Sequence, residues 1–141
     1  MKSFIKSITG ENFKKYGFVI QHDFLSKTDN QVIFSESSTI GWMMSALKIN
    51  EKEIHSLSSH PNTMESFEPL EGVTLLYVST VDNESLYEIF LLDRPVCLQR
   101  GIWHGLLALS EYSIVKLVEN SDVVVVKREL PDVIRIVAES G

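Results

Sequence analysis

The chain has 141 residues, a formal net charge of −6 and a pI near 5.2, with 44% hydrophobic and 23% charged residues. This length suits one domain, 1–141, around a single buried core, and the composition is that of a soluble globular protein. No apolar run reaches the ~20 residues that span a bilayer, and no stripe of Lys and Arg can neutralise phosphates, so neither a membrane nor a nucleic acid is an expected partner. The opening Met1-Lys2-Ser3-Phe4-Ile5-Lys6 has no signal-peptide core. The one cysteine, Cys97, cannot make an internal disulfide. Both features point to the cytoplasm.

Taken in order, Thr9 to Gly17 reads as a helical turn or two, capped by Thr9, favoured by Glu11 at its positive end and stopped by Gly17. Phe18 to Gln21 reads as a strand, His22 to Asn30 as a polar loop, Gln31 to Phe34 as extended, and Ser35 to Thr39 as loop. Ile40 to Ile49 is apolar, short and interrupted by Gly41, which predicts a buried strand rather than a helix. Glu53 to His60 ends at Pro61, a residue with no donor for a ladder and therefore a strand-end signal. Glu68 and Glu71, flanking Pro69-Leu70, read as solvated turn residues, followed by the turn Glu71-Gly72.

Val73 to Thr80, rich in β-branched and aromatic residues, is the clearest central strand. Asp82 to Ile89 can open as a short capped helix, and Phe90 to Leu92 is extended. Val96-Cys97-Leu98, Leu106 to Leu109, Tyr112 to Val118, Val123 to Lys127 and Val133 to Val137 supply further strands, the last two separated by Pro131-Asp132. Many short, closely spaced strands with one or two short helices predict an all-β sandwich or barrel.

Two stretches carry chemistry. In Leu98 to Gly105 a turn presents Arg100, flexible Gly101, Trp103 and His104; in Ser58 to Glu65 a second presents His60 and Glu65 around Pro61. Together they read as two halves of one site. His60, Glu65 and His104 make a partial ligand set for a divalent metal. Of the four histidines, His22 lies in a loop without a role, and His55 has the opposite strand parity to His60 and faces away from it. Trp103 equally suits core packing, and Arg100 an ordinary surface ion pair.

The second half of the chain resembles the cupin superfamily, whose first motif places H-x-H, three or four residues, E, six residues and G. Ser58-x-His60, Glu65 and Gly72 follow it, with Ser58 in place of the first histidine, and Gly101-Ile102-Trp103-His104 matches the G-x-x-H of the second motif. Within that superfamily the chain resembles the ureidoglycolate lyase family. His60-Pro61-Asn62-Thr63-Met64-Glu65-Ser66-Phe67-Glu68-Pro69-Leu70 matches its H-P-x-x-x-Q-x-F-x-P-L segment, with Glu65 for the glutamine. Leu98 to His104 matches its Y-H-R-x-x-W-H segment in Arg100, Trp103 and His104, with Leu98 and Gln99 replacing the tyrosine and histidine.

The resemblance implies a cupin-type double-stranded β-helix, or jelly-roll barrel, and a homodimer. It implies a carbon–nitrogen lyase of the amidine-lyase type that splits ureidoglycolate into urea and glyoxylate, a step of allantoin and purine degradation. His60, Glu65 and His104 would hold a divalent transition metal, one ligand short of the usual four. His104, Glu65 and Arg100 would be catalytic, and Arg100, Trp103, Gln99 and Ser58 would bind the small anionic substrate, with Arg100 as carboxylate clamp. Without a metal, His104 becomes the acid–base group, oriented by Glu65. The changes at Leu98, Gln99 and Glu65 leave two alternatives open: a cupin isomerase or epimerase of a small hydroxy acid or sugar, and a non-catalytic small-molecule binding cupin.

Overall fold

Short runs of apolar and polar residues at period two dominate the chain, and in the computed structural model, which describes residues 4–23, 25–80, 82 and 86–136, they form strands. In order these are β1 (Ile5–Ser7), β2 (Gly17–Val19), β3 (Trp42–Ile49), β4 (Glu53–Ser59), β5 (Glu65–Glu71) and β6 (Thr74–Ser79). There follow β7 (Glu88–Leu91), β8 (Val96–Leu98), β9 (Trp103–Ala108), β10 (Ser113–Asn120) and β11 (Val126–Arg135). They make a six-stranded sheet, β1-β7-β6-β9-β4-β11, and a five-stranded sheet, β2-β8-β5-β10-β3.

The strands from β3 to β10 divide between the sheets in the orders 3-10-5-8 and 4-9-6-7. That is the double winding of a jelly roll. The fold is all-β and of the cupin type, as expected. Among the described residues no helix forms, and so none is long and apolar enough to cross a membrane.

Phe13, Phe67, Leu76, Phe90, Leu98 and Val115 fill the space between the sheets. The clearest expected strand, β6, is buried along its whole length. Leu76 and Val78 face this core, while Leu75 and Tyr77 join Ile54, Leu57 and Leu107 on the opposite side of the sheet. Leu130 and Ile134 of β11 pack there too, because β11 shifts register against β4 between Glu129 and Ile134. The stretches expected as two strands around Pro131-Asp132 are therefore one bent strand.

Several expectations are corrected. Thr9 does cap its segment, in a reciprocal pair with Asn12 (Asn12 N–H to Thr9 Oγ1 3.0 Å, Thr9 N–H to Asn12 Oδ1 2.8 Å), but residues 10–16 form successive turns, not a helix. Gly17 opens β2 instead of only stopping a helix: a Cβ there would lie 2.0 Å from the Cys97 carbonyl oxygen. Gln31 to Phe34 is not a strand; Ile33 and Phe34 lie against the outer face of the five-stranded sheet, lining a cleft of about 280 Å³. Glu68 and Glu71 belong to β5, not to a turn. β3 is a strand, but an exposed one, because it is an edge that pairs only with β10. The short helix expected from Asp82 lies partly outside the described residues, and Glu88 and Ile89 are strand. Val137 and Met1 to Ser3 also lie outside them.

Candidate metal centre

The cavity opens between the two sheets beside β3, has a volume of about 350 Å³, and is lined by Ser56, Ser58, His60, Glu65, Phe67, His104 and Glu119 among others. Each sheet contributes to it. β9 carries His104, whose register partners are Ser58 on β4 and Val78 on β6. β5 begins with Glu65, flanked in the other sheet by Leu98 of β8 and Glu119 of β10. His60 sits in the turn that joins β4 to β5. The chain thus crosses from one sheet to the other between His60 and Glu65, and the jelly-roll winding returns β9 to face them.

Backbone staples fix these positions. Gly101, with φ of 81°, takes a left-handed conformation that a side chain would strain. Its N–H donates to the His60 carbonyl at 2.9 Å and its carbonyl accepts from Ser59 Oγ at 2.8 Å, tying the two motif turns together. Asn62 holds the 120–124 loop, donating to the Asp122 carbonyl at 2.7 Å and accepting from the Val124 N–H at 2.9 Å. That loop in turn presents the Val124 carbonyl to His60.

The imidazole geometry is specific. His60 Nδ1 is 3.1 Å from the Val124 carbonyl oxygen and His104 Nδ1 is 3.1 Å from that of Ile102. A carbonyl only accepts, so both Nδ1 atoms carry protons. Both Nε2 atoms face the same buried carboxylate, His60 at 3.1 Å from Glu65 Oε2 and His104 at 2.9 Å from Glu65 Oε1. In the neutral imidazoles those nitrogens are lone pairs directed at carboxylate oxygens. Such an arrangement needs a cation in its midst, either protons on the rings or a metal ion.

The donor atoms of the three residues lie within 4.8 Å of one another. Two ligands at about 2.1 Å from one metal are at most about 4.2 Å apart. The contacts of 3.1 and 2.9 Å, to the two oxygens of Glu65, fall inside that range, and the widest donor spacing, 4.8 Å, must close slightly around an ion. A Nδ1–H held by a carbonyl is also how metal-ligating histidines are oriented, and imidazole with carboxylate suits a divalent transition metal. The residues fit the group.

Without a metal, protons supply the positive charge. The hydrogen bond to Glu65 raises the His60 pKa against the opposing effect of burial. Burial alone would raise that of Glu65, but the hydrogen bonds from His104 and His60 outweigh it and hold the carboxyl far below the usual range. Glu119 is pushed up to about 8 by burial and by the neighbouring Glu65.

The structure brings His60, Glu65, His104 and Ser58 together, and puts three other expected site residues elsewhere. Trp103 precedes His104 on a strand and so faces the other way, packing against the Ile54–Leu57–Leu107 cluster. Arg100 points outward: its Nη2 donates to Glu36 Oε2 at 2.8 Å and its guanidinium lies 5.7 Å from the Phe34 ring. Gln99 is exposed, and its N–H donates to the Tyr16 carbonyl at 2.9 Å. For Trp103 and Arg100 these are the packing and ion-pair alternatives open to those side chains. As expected, His55 faces away, exposed beside Glu53 at 3.3 Å.

Glu119 is the lining residue that sequence reasoning missed. Ending the strand at Val118 left it in a turn, yet it continues the inward positions Val115 and Leu117. An acid on the inward parity of an apolar strand was the available signal.

No protein-family profile and no curated protein matches the sequence. Among solved structures, several of Bacillus subtilis oxalate decarboxylase are similar, including a serine-to-alanine variant, a tryptophan-to-tyrosine variant and one in which its Mn(II) centres were assigned. Each is 15% identical with a TM-score of 0.47, and the match covers 64% of this chain and 24% of that one. The matched part is thus about a quarter of the neighbour's length.

Proposed function

We propose that this cupin-type domain is a metal-dependent enzyme acting on a small anionic hydroxy acid through His60, Glu65 and His104. The observation that carries the reading is the pair of Nδ1-anchored imidazoles whose Nε2 atoms converge on buried Glu65. A cavity of about 350 Å³ is of small-molecule size. The sequence resemblance nominates ureidoglycolate cleavage to urea and glyoxylate as the reaction.

His60, Glu65 and His104 would hold a divalent ion there, which when bound would supply Lewis-acid chemistry toward a substrate oxygen. That charge matters here because the cavity floor is acidic and Arg100 faces away from it. The remaining work falls to the chain's own groups. The Ser56 and Ser58 hydroxyls donate hydrogen bonds to substrate oxygens at the mouth. Phe67, Leu106 and Leu117 form an apolar wall that excludes water. Arg100, turned toward Glu36, offers no carboxylate clamp in this arrangement, and that favours a second reading, a cupin isomerase, epimerase or binding protein whose ligand needs no guanidinium.

Metal analysis of the purified protein together with a glyoxylate-release assay on ureidoglycolate decides among them. Bound metal with glyoxylate release is the expected result. Bound metal without release removes the lyase reading, and neither metal nor turnover, with a small molecule still bound, leaves the binding protein. A homodimer is part of the same proposal, and sedimentation velocity showing a monomer at working concentration removes it.

A further inference from the structure

Glu119 stands beside Glu65 in the β5–β10 register and lines the same cavity as His60 and His104. Glu119 Oε2 is buried without a hydrogen-bond partner among the described residues, and Glu65 Oε1 has His104 Nε2 at 2.9 Å. Glu65 itself is 4% exposed. Two carboxylates side by side, Glu65 buried and Glu119 half-buried, cannot both ionise readily without compensating charge. Apart from the histidines, the lining offers one cationic side chain, Lys48, whose ammonium lies 4.7 Å from the centre of the Tyr112 ring, on the far strand of the sheet. The cavity therefore holds more acceptor capacity than three ligands to one cation use.

We propose that Glu119 is a fourth ligand of the divalent cation held by His60, Glu65 and His104, completing the set from β10. The assignment rests on the metal reading above. Two neutral imidazoles and two carboxylates balance a divalent charge, whereas one carboxylate leaves it half compensated in a buried site. β5 and β10 are neighbours in the ladder at Glu65 and Glu119, so both carboxylates are carried by one sheet. The donor atoms already within 4.8 Å of one another are those of His60, Glu65 and His104, and Glu119 joins them by a side-chain rotation.

Co²⁺ titration of the metal-free protein tests this, followed by calorimetry and by the visible d–d spectrum, which reports the ligand set independently of any activity. The wild type is expected to bind one equivalent. Glu119→Gln, nearly isosteric but a much poorer ligand, is expected to bind at least ten-fold more weakly, with an altered spectrum. Equal affinity and an unchanged spectrum in Glu119→Gln overturn the fourth ligand while leaving the three-residue site intact. No Co²⁺, Mn²⁺ or Zn²⁺ binding by the wild type overturns both. Should circular dichroism show Glu119→Gln unfolded, Glu119→His carries the test. A spectrum shifted by the added nitrogen donor supports ligation at position 119, and the wild-type spectrum overturns it.

Discussion

The two ends of the sandwich belong to the same pair of sheets and do opposite things. At the β1/β2 end the segment from Ile8 to Tyr16 plugs the gap between the sheets. Phe13 is fully buried and meets Phe90 and Tyr16 edge to face, with centroids 5.3 and 5.8 Å away. At the β3/β11 end nothing among the described residues plays that part. Both edge strands are largely exposed, and the cavity opens beside them. The closed end has apolar atoms where the open end has imidazoles and carboxylates. A jelly roll sealed at one end can afford a polar, poorly packed interior at the other, because the buried apolar area that holds the sheets together is gathered away from the site.

That contrast predicts unequal mutational effects. Phe13→Ala should be the most costly, about 3–5 kcal/mol by the usual range for truncating a buried Phe, read as a lower urea midpoint. Metal affinity of the molecules still folded should be unchanged. A parallel loss of affinity would show that the ends are coupled. His104→Ala should act the other way: turnover and bound metal fall to background while the protein stays folded, with a stability cost of about 1–3 kcal/mol for leaving Glu65 short of a partner. An unchanged rate in this variant removes the proposed site.

Arg100→Ala ranks next. The Arg100–Glu36 pair is exposed and screened by solvent, so its loss should barely change stability, and because Arg100 faces away from the cavity, metal affinity should not move. The carboxylate-clamp expectation requires a raised KM. Finding one would mean that Arg100 leaves Glu36 and turns inward when substrate binds.

How much of this was legible beforehand follows the same division. Strands with a clear pattern, such as β6 and β8, and the two site halves could be read from their residues because they depend on local chemistry: β-branched content, Pro61 as a stop, Gly101 as a relaxed turn. The positions of Arg100 and Trp103 could not. Adjacency in sequence suggested that they share a site with His104, but strand alternation turns Trp103 to the opposite face, and Arg100 turns toward Phe34, which is far away in sequence. The apolar run in β3 looked like core because a strand's own residues do not say whether anything covers it. Glu119 was hidden by a strand end placed two residues early. Glu68 and Glu71 flank Pro69, a poor strand residue, yet β5 continues through it because β10 pairs along one side, while β8 pairs only with Glu65 to Phe67 and leaves Pro69 at an edge.

The smallest effect is on the pH dependence of stability, to which the two ends contribute different groups. At the closed end Glu88 ties the N-terminal segment to β7, with its Oε1 3.1 Å from Lys15 Nζ and 3.4 Å from Lys6 Nζ. Burial would raise its pKa, but the contacts with Lys15, Tyr16 and Lys6 outweigh it and lower it. A lowered carboxyl contributes stability that is present above its unfolded value, about 4.3, and lost as pH falls through the folded one. At the open end of the metal-free protein, His60 is raised above its unfolded value of about 6.5, so its contribution is complete below that pH and lost as pH rises through the folded value. Glu119, pushed up to about 8, changes stability in the same direction. Melting temperatures of the metal-free protein should therefore fall on both the acid and the alkaline side, for different reasons. Glu65, lowered by the histidines, adds to the acid limb from the open end. Glu88→Gln should therefore reduce that limb only in part, within the ~0.2–1 kcal/mol of partly exposed ion pairs, whereas His60→Gln should weaken the alkaline limb and, by removing a donor to Glu65, the acid limb as well. A Glu88→Gln variant that also loses the alkaline limb would show that the two ends titrate as one network.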